Sequence, residues 1–107
     1  MLNQYGLQTG QSSTFLNPLV IGTSASQIAL NNPTRLSGFF LNISGNSIFI
    51  LPNPNVSINN AVELVPSGGY FKVSRWEDMG FADFAWWAIA TAINSPMLFI
   101  ETNVNNL

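Results

Sequence analysis

Residues 81–93 read Phe-Ala-Asp-Phe-Ala-Trp-Trp-Ala-Ile-Ala-Thr-Ala-Ile, and the fold class turns on them. Five alanines favour a helix, because Ala is the best helix former. Against this, Phe, Trp and Ile fall all round a helical wheel and leave no polar face. The stretch ends at Asn94-Ser95-Pro96, and Met97-Leu-Phe-Ile-Glu101 after it reads as a partner strand. Residues 84–91 are therefore read as a strand. On a strand Trp86 and Trp87 point to opposite faces. The expectation is Trp87 in the core alongside Ile89, with Phe84, Trp86 and Ala88 facing outward or into a second layer.

Outward from this stretch the periodicity remains that of strands. Phe15–Ile21 and Gln27–Leu30 are short apolar runs. Arg35–Ile43 alternates, with Phe39, Leu41 and Ile43 on one face and Leu36, Gly38, Phe40 and Asn42 on the other. Ser44-Gly45-Asn46-Ser47, between this run and Ile48–Leu51, reads as the turn of a hairpin. Pro52-Asn-Pro-Asn55 breaks any strand, since proline removes ladder donors. Val62–Val65 is short and stops at the Pro66-Ser-Gly-Gly69 turn, after which Tyr70–Val73 continues. Strands this short, separated by turns, predict an all-β protein: an antiparallel β-sandwich or jelly-roll-like barrel, residues 15–107. Residues 1–14, polar, uncharged and punctuated by Gly, read as an extended N-terminal arm.

Composition narrows function. The chain has 107 residues, the size of one domain, and only 7% are charged; about 25% is usual. Fourteen Asn supply polarity in place of charge. The absence of Cys excludes disulfides, thiolate nucleophiles and cysteine-ligated metals. The absence of His excludes an ordinary Ser-His-Asp triad and imidazole metal sites. Three basic residues cannot track a phosphate backbone, so no nucleic-acid partner is expected. No run approaches the ~20 apolar residues of a membrane-spanning helix. Met1–Gly6 shows neither the charged nor the apolar region of a signal peptide, so cytoplasmic synthesis is expected. A surface this poor in charge favours association.

Candidate chemistry is sparse. Glu77, Asp78 and Asp83 offer oxygen ligands suited to Ca²⁺, but their spacing fits no known loop and they read as a solvated acidic turn. Lys72, a conceivable activator of a serine, lies in an alternating strand. No catalytic, metal or cofactor site is expected, and the chain is not read as an enzyme. Asn42-Ile-Ser44 and Asn55-Val-Ser57 match the glycosylation pattern by chance. Arg35, after the Asn31-Asn-Pro33 turn, is either a solvated strand end or an ion pair and carbonyl clamp, extending even across a subunit interface. Trp76, Phe84 and Trp86, together with Arg35 and with Tyr5 of the arm, are the candidate partner-contact residues, since aromatics and Arg anchor interfaces. Trp76 or Trp86 would alternatively serve as a sugar-stacking platform.

The order of these parts carries a resemblance. Asn32-Pro33-Thr34-Arg35 opens a strand that ends in Asn42-Ile-Ser44. Ile48-Phe-Ile50, the Leu64-Val-Pro66-Ser-Gly68 turn, Ala85–Ile89 and a last strand ending at Glu101 follow. Over Ala29–Glu101 this resembles small β-sandwich bacteriophage virion proteins of the capsid decoration, cement or head-fibre-base type. The Trp86-Trp87 pair and the loop 74–83 depart from that pattern. The resemblance implies a structural protein located in the virion and made in the host bacterial cytoplasm. Its partner would be the major capsid protein or another virion protein. It would form a homo-oligomer, a trimer being favoured by the three-fold positions of a shell. A tail, baseplate or fibre-attachment adaptor and a host-glycan module are the alternatives.

Overall fold

The computed structural model describes residues 11–105. Eight strands form: β1 (Gln11–Ile21), β2 (Ser26–Ala29), β3 (Arg35–Asn42), β4 (Ile48–Leu51), β5 (Val62–Leu64), β6 (Tyr70–Ser74), β7 (Trp86–Ala90) and β8 (Ser95–Asn105). A single helical turn, α1 (Arg75–Asp78), runs into a 3-10 turn over Met79–Asp83 between β6 and β7. The strands make two four-stranded antiparallel sheets, ordered β1-β8-β3-β6 and β2-β7-β4-β5. That pairing is the eight-strand, double-sheet jelly roll. β1 begins at Gln11, within the stretch read as an arm; the rest of that stretch, Tyr5 included, lies outside the described residues.

The core lies between the sheets and is organised by aromatics. Phe40 of β3 stands opposite Phe99 of β8 and Phe71 of β6. The rings of Phe40 and Phe99 stack at 4.8 Å. From the facing sheet Trp86 packs on Phe40 at 5.0 Å and on Phe71 at 5.9 Å. Ala88 and Ala90 follow Trp86 on the same inward face, where small side chains leave room for the opposing core. This period-two pattern is why 86–90 is a strand despite its alanines: burial in a central strand outweighs helix propensity.

It also reverses the expected faces. Trp86 is 3% exposed and in the core, while Trp87 and Ile89 face outward, because Phe40 and Phe71 create a seat that the first Trp reaches and the second does not.

Two pairings expected from adjacency are corrected. β3 and β4 do not form a hairpin; they belong to different sheets. Gly45 and Asn46 lack the positive φ that a two-residue hairpin turn requires. The connection is instead an arch between sheets, folded by polar side chains. Nor is β8 the partner of β7: β8 lies between β1 and β3, and β7 lies between β2 and β4. Both Phe99 and Ala88 are inward-facing, so the two strands meet through the core rather than edge to edge.

The β5–β6 connection also crosses between sheets, and here backbone geometry is decisive. Ser67 and Gly68 have φ of 58° and 119°. A Cβ on Gly69 would lie 2.3 Å from the Val65 nitrogen and 2.5 Å from its oxygen. Gly69→Ala is therefore expected to destabilise the fold by about 1–3 kcal/mol, as overpacking against an immobile backbone does. Urea unfolding with an unchanged midpoint would refute this.

Candidate partner-contact site

One end of the sandwich is assembled around Arg35. This residue, the first of β3, is 2% exposed. Its Nε donates to Glu101 Oε2 at 2.9 Å. Nη1 donates to the carbonyls of Ala82 at 3.1 Å and Phe84 at 2.8 Å, and Nη2 to that of Leu30 at 2.8 Å. The guanidinium also lies over the Phe99 ring, 5.3 Å from its centroid. Of the two readings of Arg35, the ion pair and carbonyl clamp is the one realised, and every one of these bonds is made within its own chain. As a partner contact it is corrected, since a buried guanidinium with these bonds presents nothing to a second molecule.

The Asn32-Pro33-Thr34 turn completes the clamp. Asn32 Oδ1 accepts from Thr34 N at 3.0 Å and Thr34 Oγ1 at 2.7 Å, an Asx turn. Asn32 Nδ2 donates to Asn103 Oδ1 at 2.8 Å, and Asn103 Nδ2 to Glu101 Oε1 at 3.2 Å. Both carboxylate oxygens of Glu101 are therefore engaged, one by Arg35 and one by Asn103. The chain of bonds joins the β2–β3 turn, β8 and the β6–β7 segment.

Over this frame the end presents apolar side chains. The carbonyls of Leu30 and Phe84 converge on one guanidinium, so their side chains, 72% and 42% exposed, stand at the same end. Trp76 in α1 is 76% exposed. Its turn is held there by Arg75, which donates from Nη2 to Asp83 Oδ1 at 2.9 Å and to the Pro33 carbonyl. Ser74 caps the turn, its Oγ accepting from Glu77 N at 3.2 Å, while Asp78 Oδ2 accepts from Ser74 N at 2.9 Å. This reciprocal arrangement is a capping box displaced by one residue.

Two of the three acidic residues of the loop are thereby assigned to structure: Asp78 to the cap and Asp83 to the ion pair. Among the described residues no three His, Cys, Asp or Glu side chains converge. Of the candidate contacts, Trp76 and Phe84 are thus exposed at one end. Trp86 is corrected, being buried against Phe40 and Phe71 and unavailable either to a partner or as a sugar platform.

Two features escaped sequence reasoning. The first is that the outer faces of both sheets carry large apolar side chains among their polar ones. On the first sheet the outward residues include Phe39, Leu41, Tyr70, Leu98 and Ile100, with Phe39 and Tyr70 stacked at 5.5 Å. On the second they include Phe49, Leu51, Trp87 and Ile89, beside Gln27 and Glu63. Antiparallel sandwiches usually alternate apolar-in and polar-out. The alternation of Phe39, Leu41 and Phe40 around one strand carried that signal.

The second feature is at the opposite end, where Asn42, the last residue of β3, is fully buried. Its Nδ2 donates to the carbonyls of Asn46 at 2.7 Å, Leu64 at 2.8 Å and Val65 at 3.1 Å. Its Oδ1 accepts from Ser44 N at 2.9 Å and Ser44 Oγ at 2.7 Å. With its amide so occupied, Asn42 is no glycan acceptor. The spacing Asn42-x-Ser44-x-Asn46 was the available signal, read instead as a hairpin.

The fold defines the chain as a jelly-roll domain. No protein-family model matches it, and no curated protein matches it. Among solved structures it is similar to a protein of Bacillus endospore appendages, described as disulfide-linked pili. The TM-score is 0.57 and the identity 10%, with 90% of this chain and 88% of that chain covered. At that identity the likeness concerns the fold alone. This chain contains no Cys, so the linkage named for that protein has no counterpart here.

Proposed function

We propose that this chain is a non-enzymatic structural subunit of a bacteriophage virion, decorating or cementing the head shell as a homo-oligomer. The observation that carries the reading is the distribution of apolar surface. Among the described residues nine large apolar side chains, from Val20 to Ile93, are exposed, whereas the whole chain has only three basic and five acidic residues. Arg35 and Glu101, moreover, are committed to the interior clamp. A domain with large apolar side chains on both outer faces and at one end is suited to being covered. Jelly rolls also form viral capsid domains, a fold-level analogy that supports the reading.

Binding the assembled shell but not its free subunits would stabilise the shell by mass action. The Trp76, Phe84 and Leu30 end would meet the major capsid protein, and the outer sheet faces would join copies, as a trimer at three-fold positions. Mass spectrometry of separated heads and tails from the encoding phage is expected to find the chain in the head fraction. Its absence from particles would end the proposal, and its presence in tails would favour an adaptor.

A second reading, a subunit of a non-covalent homopolymer, draws on the pilus protein's similar fold; filaments of the purified chain under negative stain would favour it. Trp76→Ser, at an exposed position, is expected to change stability by no more than about 0.5 kcal/mol. It should nevertheless weaken shell binding in cosedimentation, and equal binding would remove Trp76 from the contact.

A further inference from the structure

The two sides of the sandwich are guarded differently. β1 and β2 end the sheets at one side, β6 and β5 at the other. An open strand edge invites pairing with another chain, and proteins blunt it with charge, short strands or bulges. β5 and β6 span only three and five residues, and Glu63 and Lys72 stand exposed on them. β2 has four residues and a register shift between Gln27 and Ala29. β1 shares none of these guards. It runs for eleven residues, pairs with β8 without a register shift and carries no charged side chain. Arg35 is the first charged residue of the sequence, so β1 and β2 both lie in a stretch free of charge.

The ladder shows which backbone groups this edge offers. Along an antiparallel pair, positions alternate between hydrogen-bonded and non-hydrogen-bonded. Pro18 faces Leu98 and Val20 faces Pro96, and a proline has no N–H to exchange. The even-numbered residues of β1 are therefore the ones not bonded to β8, and their N–H and C=O groups turn to the free edge. Val104, the partner of Ser12, fixes the same alternation: its N–H donates to Thr34 O, on the β3 side, at 2.8 Å. Ser12, Thr14 and Leu16 thus present an unbroken row of edge donors and acceptors. Pro18 interrupts that row, in the one direction in which an edge strand tolerates proline.

We infer that β1 pairs antiparallel with β1 of a second copy, across a two-fold axis at Thr14. In that register Thr14 faces itself and Ser12 faces Leu16, all in hydrogen-bonded pairs. Moving the axis toward Pro18 would replace a donor with its ring. A second copy fits because an isologous contact needs a surface complementary to itself, and an uncharged strand paired antiparallel is one. Charge points the same way. Two chains of net charge −2 meet where neither carries any, with the exposed Glu63, Lys72 and Glu77 on other elements. A charged peptide would find no counterpart on this edge. The two β1-β8-β3-β6 sheets become continuous through the pairing. The inference stands apart from the proposed virion role, since it concerns the chain itself, and the two-fold link is additional to any trimer.

Light scattering of the purified full chain at submillimolar concentration is expected to give an even multiple of 11.7 kDa. Thr14→Lys and Thr14→Glu each set like charges opposite one another at the axis, and each should halve that mass. Mixing the two variants should restore it, which misfolded chains would not do. Thr14→Cys supplies the only thiol in a chain without Cys. Hydrogen-bonded antiparallel partners hold their Cα atoms about 5.5 Å apart, within reach of a disulfide. Mild oxidation should therefore cross-link Thr14→Cys into dimers, while Lys72→Cys, on the opposite side, stays uncross-linked. A wild-type mass at an odd multiple, monomer or trimer alone, overturns the inference and leaves the edge to a strand of another protein. So do charge variants that keep the wild-type mass, a mixture that stays at half of it, or Lys72→Cys cross-linking as readily as Thr14→Cys.

Discussion

Arg35→Met is expected to cost about 3–5 kcal/mol, the loss seen when one partner of a buried ion pair is removed. The substitution leaves Glu101 without its cation and removes the bonds that the carbonyls of Leu30, Ala82 and Phe84 accept from the guanidinium. For a domain near 100 residues each kcal/mol moves the melting temperature by roughly 4–8 °C, so a fall of ~12–40 °C should appear by calorimetry. Arg35→Lys should recover only part of it, because one ammonium on a flexible stem cannot reproduce a fork serving four acceptors. The double variant Arg35→Met, Glu101→Gln separates the two contributions. It removes the orphaned carboxylate charge but does not restore the guanidinium's bonds to the three carbonyls. Partial recovery is expected. Full recovery would mean that the carbonyl clamp adds nothing, and a melting temperature unchanged in Arg35→Met would refute the clamp altogether.

Asn42→Ala should cost about 2–4 kcal/mol, since it leaves three carbonyls and the Ser44 amide to be satisfied in a buried site, at ~1–3 kcal/mol for each group left wanting. The informative comparison is Asn42→Asp. It is nearly isosteric, and on the surface it would be mild. Here it replaces the amide that feeds Asn46, Leu64 and Val65 with an oxygen facing three other oxygens. Asn42→Asp is therefore expected to be at least as destabilising as Asn42→Ala at neutral pH. Denaturant midpoints decide the matter: an Asp variant close to wild type would show that the amide donor is dispensable.

Both effects originate in one strand. β3 carries a buried polar residue at each end, and each gathers loops from the facing sheet. How far this was legible differs between the two. Arg35 stood out because cations are scarce in the chain and it follows an Asn-Pro turn, so a clamp was a natural reading. What it clamps lay in Leu30 and in Ala82 and Phe84, far along the chain. Asn42 was hidden because its acceptors Leu64 and Val65 are more than twenty residues away, and nearest-neighbour patterns suggested only a hairpin.

Strand periodicity in 35–42 and 86–90 was readable, as was the all-β class. Which strands pair was not. A turn motif informs on its two flanking residues, whereas a jelly roll is defined by which sheet the chain enters next. The Trp86-Trp87 ambiguity has the same origin: period two offers two equal solutions, and only Phe40 and Phe71 from the other sheet choose between them.

The pairing of β1 with β8 also governs when the chain can fold. Gln11 is matched with Asn105 and Ile21 with Ser95, so the first strand meets its partner only after the last has been synthesised. Until then β1 has no neighbour in its sheet, and β3 lacks the strand that separates it from β1. The nascent polypeptide thus emerges with apolar, uncharged strand edges and nothing to pair them, a state prone to aggregation. Closure of the sandwich waits for β8 and is nearly all-or-none, on the millisecond-to-second scale of sandwiches dominated by distant pairings. For a protein whose finished surface also favours association, the vulnerable interval is the one before β8 closes between β1 and β3.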